Sequence, residues 1–187
     1  MTALPRFAGR YLERRGAVGP WRIEGCQRTD FHTVVVIPAL AESAALPATL
    51  AAMAANPAPL LTQTLVLLVV NQRPDSSAAD RKDNLLTLQK LTAGAFAYPG
   101  LRLAWVDAAS AGRELPVRNG GVGLARKIGF DLALSRLAWD SPQPLLVSLD
   151  ADTLVRADYL PALRRHFRQN GTSAAVVPFR HLAATDP

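Results

Sequence analysis

The residues best suited to chemistry lie in Leu145-Leu-Val-Ser-Leu-Asp-Ala-Asp-Thr153, where an apolar run delivers two carboxylates one residue apart. In extended backbone, positions i and i+2 face the same side, so Asp150 and Asp152 are expected to point together. Two bare carboxylates about 4 Å apart repel by about 4 kcal/mol at an effective dielectric near 20. A hard divalent cation removes that repulsion, and Mg²⁺ or Mn²⁺ suits one or two carboxylates plus phosphate oxygens. Ala151 between them is small enough to let a ligand come close. The competing reading is that both are turn or capping residues, since Asp-x-Asp alone is a common pattern. Its place at the end of a buried strand gives it meaning here.

A second unusual stretch is Asn119-Gly-Gly-Val-Gly-Leu-Ala-Arg-Lys-Ile-Gly129. Glycines permit close backbone approach, and a helix N-terminus attracts anions. Arg126 and Lys127 add positive charge for a diphosphate or a base carbonyl. The spacing matches neither the P-loop nor the Rossmann fingerprint. The plainer alternative is a loop followed by a helix with two exposed basic residues.

Glu42, in Pro38-Ala-Leu-Ala-Glu-Ser43, either accepts hydrogen bonds from a ligand or sits in the first turn of the next helix, where the dipole favours it. Asn71, in Asn71-Gln-Arg-Pro-Asp-Ser-Ser77, offers both a donor and an acceptor for a base edge. Arg73 reads as loop punctuation, and Asp75 is either that or a ligand contact. His32 and His166 read as surface or satisfied histidines, while His181 is placed within reach of the metal from a neighbouring strand end. Trp21, Trp105 and Trp139 read as packing residues.

These residues need a scaffold that puts strand ends side by side. Thr33–Ile37 is β-branched and expected to stop as a strand at Pro38; Thr64–Val70, Leu101–Val106 and Leu145–Leu149 are further apolar strands, and Ala174–Val177 a last short one. Between them, Leu46–Asn56, Asp80–Thr92, Val122–Leu137 and Asp158–Gln169 read as helices. In the second, Leu85, Leu88 and Leu91 share a face; in the last, Asp158 is the N-cap and Pro161 lies in the first turn, where proline is tolerated. The alternation predicts an α/β fold, a mostly parallel Rossmann-like sheet with helices on both faces. Ligands bind such sheets beyond the carboxyl ends of the strands, where the candidate residues fall.

Composition narrows the partners. The chain has 187 residues, 49% of them hydrophobic and 19% charged, with a formal net charge of +6 and a sequence pI of about 10.2. That balance permits an anionic partner, but the arginines are scattered and no run of five Lys/Arg exists, which argues against nucleic acid. The single cysteine, Cys26, excludes an internal disulfide and fits a reducing, cytoplasmic setting. The longest apolar run, Leu65–Val70, is too short to span a bilayer. The first residues carry Arg6, Arg10, Arg14 and Arg15 but no apolar core of a signal peptide. They could lie on a membrane surface as a basic amphipathic segment, or form a surface helix on the domain, which is the favoured reading.

Taken in order, the motifs resemble the family 2 glycosyltransferases of the GT-A fold. Val34-Val-Val-Ile-Pro-Ala-Leu-Ala-Glu42 resembles their opening strand, usually apolar residues followed by Pro-x-Tyr-Asn-Glu. Leu67-Leu-Val-Val-Asn71 with Asp75-Ser-Ser77 resembles the second strand and its base-reading loop. Gly123-Leu-Ala-Arg-Lys-Ile-Gly129 resembles the Ala-Arg-Asn-x-Gly helix, and Val147-Ser-Leu-Asp-Ala-Asp152 the metal-binding Asp-x-Asp strand. The likeness runs from about Thr33 to Asp158.

The resemblance implies a GT-A-like nucleotide-sugar-binding domain over 31–187, preceded by a basic extension over 1–30. It implies that Pro38, Ala39 and Glu42 line the nucleotide pocket, with Asp75 in the base-reading loop. Asn71 and Arg126 would contact the base, and Asp150 and Asp152 the ribose, a Mn²⁺ or Mg²⁺ ion and the diphosphate. The implied activity is transfer of a sugar from a nucleoside diphosphate to an acceptor hydroxyl. Leu40 and Ala41 depart from the usual Tyr-Asn, Asn71 stands where an acid is frequent, and Lys127 replaces Asn. Family members continue into an acceptor-binding half that supplies a general base, and no residue here is assigned that role. A surface left bare by a missing half would favour self-association. The rival readings are a non-catalytic nucleotide-sugar-binding scaffold and a nucleotidyltransferase; the latter needs a Gly-rich, Lys-bearing loop after the first strand, which Pro38–Ser43 lacks.

Overall fold

The computed structural model describes residues 4–141 and 143–180. In chain order these form helix α1 (Arg6–Arg15), strand β1 (Ile23–Gly25), strand β2 (Thr33–Ala39), helices α2 (Leu46–Ala54) and α3 (Ala58–Leu61), strand β3 (Thr64–Asn71), helix α4 (Ala78–Thr92), strand β4 (Arg102–Ala108), helix α5 (Val122–Ala133), strand β5 (Leu145–Ser148) and helix α6 (Tyr159–Asn170). The strands build one sheet in the order β1-β4-β3-β2-β5, parallel throughout except for β1, which runs antiparallel to β4. This is the mostly parallel α/β sheet that the apolar runs predict.

Every residue of β2 and β3 is buried, because helices cover both faces of the sheet. On one face Val35, Ile37, Val66 and Leu68 meet α2, α3, α4 and α6 through Leu50, Leu61, Leu91 and Leu160. On the other, Val34, Val36, Leu67 and Val69 meet α5 through Ala125 and Ile128. Gly129 sets how close α5 lies, since a Cβ there would sit 2.3 Å from Val36 Cγ1.

Several expectations change. Strand β2 runs through Pro38 instead of stopping there. Leu149 N donates to Val36 O on the β5 side, so the backbone of residue 38 faces that same side, just past the last β5 pairing. A residue without an N–H loses nothing at that point. Helix α5 ends at Ala133, and Leu134–Arg136 continue as a tighter 3-10 turn. On α4 the buried residues are Asn84, Thr87 and Leu91, while Leu85 is 48% exposed. The helix is rotated from the expected leucine face because the Asn84 amide is drawn inward onto Asn71 O and Gln72 Oε1, each 3.1 Å away.

Ala174–Val177 is not a strand; these residues are exposed and pair with no edge of the sheet. Asp158 is the N-cap residue of α6, but its side chain makes no capping bond and pairs with Arg156 instead. Asn56 supplies the cap from the end of α2, accepting from Leu160 N at 2.8 Å and donating to Arg156 O. Within residues 4–30, β1 extends the sheet, and α1 is fastened to α5 through Tyr11 and Asp131, 2.9 Å apart.

Candidate functional site

Strands β2 and β5 end side by side, and the chain beyond each makes a sharp turn. After β2, Ala41 adopts a left-handed backbone (φ 57°), costly for a residue with a Cβ. The surroundings hold it there: Ala41 N donates to Asn84 Oδ1 at 2.9 Å, and Ser43 N donates to Asp83 Oδ1 at 3.0 Å, both acceptors on α4. Ala45 N and Leu46 N then donate to Glu42 O, which places Glu42 in the turn before α2 rather than in the helix's first turn. A strained turn clamped by its neighbours is the usual setting of a ligand-binding loop.

After β5, Thr153 N donates to Asp150 O at 3.1 Å, and Thr49 Oγ1 on α2 donates to Ala151 O at 2.7 Å. Asp150 and Asp152 therefore stand on a pinned turn, not on extended strand, and the i, i+2 rule is not what aligns them. They are nevertheless brought together with the β2 turn. Glu42 has its pKa raised above 4.5, first by partial burial and then by the charges of Asp152, Asp83 and Asp150. Glu42 thus feels the charge of carboxylates on α4 and on the turn after β5.

The counter-charge comes from α5. Arg126 forms an ion pair with Asp150, and its Nε is buried without a partner. The helix begins after Gly121 with no side-chain cap, so its first N–H groups have no intramolecular side-chain acceptor. Cβ atoms at Gly121 and Gly123 would meet nothing within 4 Å, so the approach to this end is open. Uncapped N–H groups, the helix dipole and an arginine together favour an anion.

Other expected site residues are placed differently. Lys127 turns towards α1, bonding Asp131 Oδ2 at 2.6 Å and Tyr11 Oη at 3.1 Å. Desolvation opposes its charge, but the bonds to Asp131 and Tyr11 outweigh it and raise its pKa. Asn71 is buried, its amide donating to Ala39 O and Val69 O at 3.1 and 3.0 Å, where it locks the ends of β2 and β3. Asp75 pairs with Arg73 at 3.0 Å on the exposed loop after β3. Pro38 and Ala39 are buried at the end of β2. His166 is on α6 beside Asn170, and His181 lies outside the described residues. Sequence reasoning missed Asp83 and Asn84; an acid and an amide in the first turns of a helix that follows a strand-end loop are the only local signal they carry.

The donor set fits a hard cation in part. Asp150 and Asp152 are exposed carboxylates, suited to Mg²⁺ or Mn²⁺ when phosphate and water fill the remaining positions. Among the described residues no three His, Cys, Asp or Glu side chains are grouped to hold a metal by themselves.

The fold and this corner define a parallel α/β protein with an acid-and-arginine site beyond its strand ends. No family model matches the chain, and no curated protein matches it by sequence. Among solved structures it is similar to that of S. aureus TarS, residues 1–349, at 14% identity and a TM-score of 0.45. The match covers 79% of this chain and spans 38% of that one. No helix among the described residues is long and apolar enough to cross a membrane.

Proposed function

We propose that the chain carries the nucleotide-sugar-binding part of a GT-A type glycosyltransferase. One observation supports this above the others: Arg126 on α5 forms an ion pair with Asp150 on the turn after β5, and Glu42, on the turn after β2, feels the charges of Asp150 and Asp152. A nucleoside diphosphate offers what this corner lacks, a dianion for Arg126 and the α5 N-terminus. Asp150 and Asp152 would hold a divalent cation, which when bound supplies charge stabilisation for a departing diphosphate.

The chain's own residues then divide the work. The clamped Ala41 turn holds Glu42 beside the acids and keeps the rim of the site rigid. Arg126, now paired with Asp150, would bind a phosphate oxygen of the donor, and Asp150 would then be free to hold a cation. The α5 N-terminus directs its uncapped N–H groups at the same phosphates.

Calorimetric titration of UDP and of GDP, with Mn²⁺ and then with EDTA, tests the reading. Binding of one nucleotide that disappears with EDTA is the expected result. Absence of binding by either, with metal present, overturns it.

A further inference from the structure

Among the described residues, the arginines on the outward face of α1 form no ion pair. The helix docks through Ala8, which is buried, and through Tyr11, whose hydroxyl bonds Asp131 on α5. At 100° per residue, Arg6, Arg10 and Arg14 fall in one row opposite Ala8. These three and Arg15 are exposed, and none is in an ion pair among the described residues. Arg22, Arg28, Arg73, Arg113, Arg126 and Arg156 each have a carboxylate partner, whereas Arg164, Arg165 and Arg168 on α6 are likewise in no ion pair among the described residues, so it is the exposed aromatic flank that sets α1 apart. Glu13 is the one acid on the helix, and at 100° per residue it falls beside Arg6 at the margin of that row. Beside the arginine row stands Phe7, 66% exposed although one edge rests on Trp139, with Tyr11 next along the same flank at 42%.

We propose that this face is a docking surface for an anionic lipid bilayer. A row of guanidinium groups with an aromatic flank is the composition of a helix lying in the headgroup plane: arginines on phosphates, Phe7 at the acyl boundary. Charge complementarity identifies the occupant: the three arginines of the row call for an extended anionic partner, and the exposed phenylalanine on their flank for an apolar layer beneath it, while Arg15 falls on the side of Ala8 and is not part of this face. A nucleic acid would satisfy the arginines and leave Phe7 in water. The inference is independent of the glycosyltransferase reading.

Co-sedimentation of the whole chain with phosphatidylcholine vesicles, with and without phosphatidylglycerol, tests it at low ionic strength. Partitioning onto the anionic vesicles alone is expected, falling as salt rises. Arg6→Gln, Arg10→Gln and Arg14→Gln should each weaken it about fivefold. Arg164→Gln with Arg168→Gln serves as the control, since α6 covers the opposite face of the sheet; partitioning should be unchanged. Phe7→Ala should also weaken vesicle binding. Because it removes a contact with Trp139, its fold is checked by circular dichroism, and the arginine variants carry the test if it unfolds. No partitioning, equal loss from the α6 pair, or tighter binding to single-stranded RNA that survives Phe7→Ala would overturn the proposal.

Discussion

Asp150 is held by two kinds of charge at once, the acids Glu42 and Asp152 nearby and the guanidinium of Arg126 upon it. If the corner binds metal and diphosphate, the acids and the arginine have separable effects. Asp152→Ala should abolish the metal dependence of nucleotide binding and leave the melting temperature within a degree or two, since the side chain is exposed. Arg126→Ala should weaken the nucleotide about tenfold or more through loss of a charged hydrogen bond. Identical titration curves for wild type and both variants would remove the site from consideration. Glu42 adds a pH dependence. Its folded pKa lies above 4.5, so the native state favours the protonated form. That advantage is complete below about pH 4.5 and is lost as pH rises through the folded value. Glu42→Gln, which mimics the protonated state, should therefore raise the melting temperature near pH 7, with the gain vanishing below about pH 4. A gain constant across that range would mean that relieved repulsion is not its source.

At the scale of elements, α5 is the piece whose position matters most, because it carries Arg126 and its N-terminus to the acids. Its seat depends on a missing Cβ. Gly129→Ala would place a methyl 2.3 Å from Val36 Cγ1 and 3.0 Å from Val69 Cγ2, on strands with no room to retreat. Overpacking of this kind costs about 1–3 kcal/mol. Urea unfolding should show that loss, and nucleotide affinity should fall with it as the helix lifts; a variant of wild-type stability would show that the helix shifts freely. The strands β2, β3, β4 and β5 were legible in the sequence because each is an apolar run between loop residues. Strand β1, three residues of Ile-Glu-Gly, was not, because it exists only through pairing with β4. Ala174–Val177 is equally apolar, yet it pairs with no strand, although β5 at the end of the sheet has an open edge. The positions of Glu42, Asp150 and Asp152 just past strand ends were legible from the order of elements, whereas the ion pair that Arg126 makes with Asp150 from α5 was not. Lys127 pairs with Asp131 four residues on, a local i,i+4 pattern that could have been read, but its bond to Tyr11 and that of Asn71 to Ala39 span far more of the chain, and no local pattern announces them.

Over the whole molecule, ligand binding should appear as stability, because the two sides of the corner are far apart in the chain and meet only when it is folded. Glu42 follows β2, Arg126 lies on α5 and Asp150 follows β5, so an unfolded chain offers no assembled site. A ligand that binds only the native state stabilises it by about 2.7 kcal/mol at one hundred times its dissociation constant. For a domain of this size that corresponds to a rise of roughly 5–10 °C in melting temperature. The rise should require nucleotide and Mn²⁺ together, since the cation offsets the mutual repulsion of the acids and the phosphate draws Arg126 away from Asp150. Mn²⁺ alone should give a smaller rise, because it must compete with Arg126 for the same carboxylate. Scanning thermal unfolding with each component singly and then together separates these cases. If Mn²⁺ alone stabilises as much as the pair, the acids form a cation site that is not coupled to a nucleotide, and Arg126 is only a surface ion pair, worth about 0–1 kcal/mol.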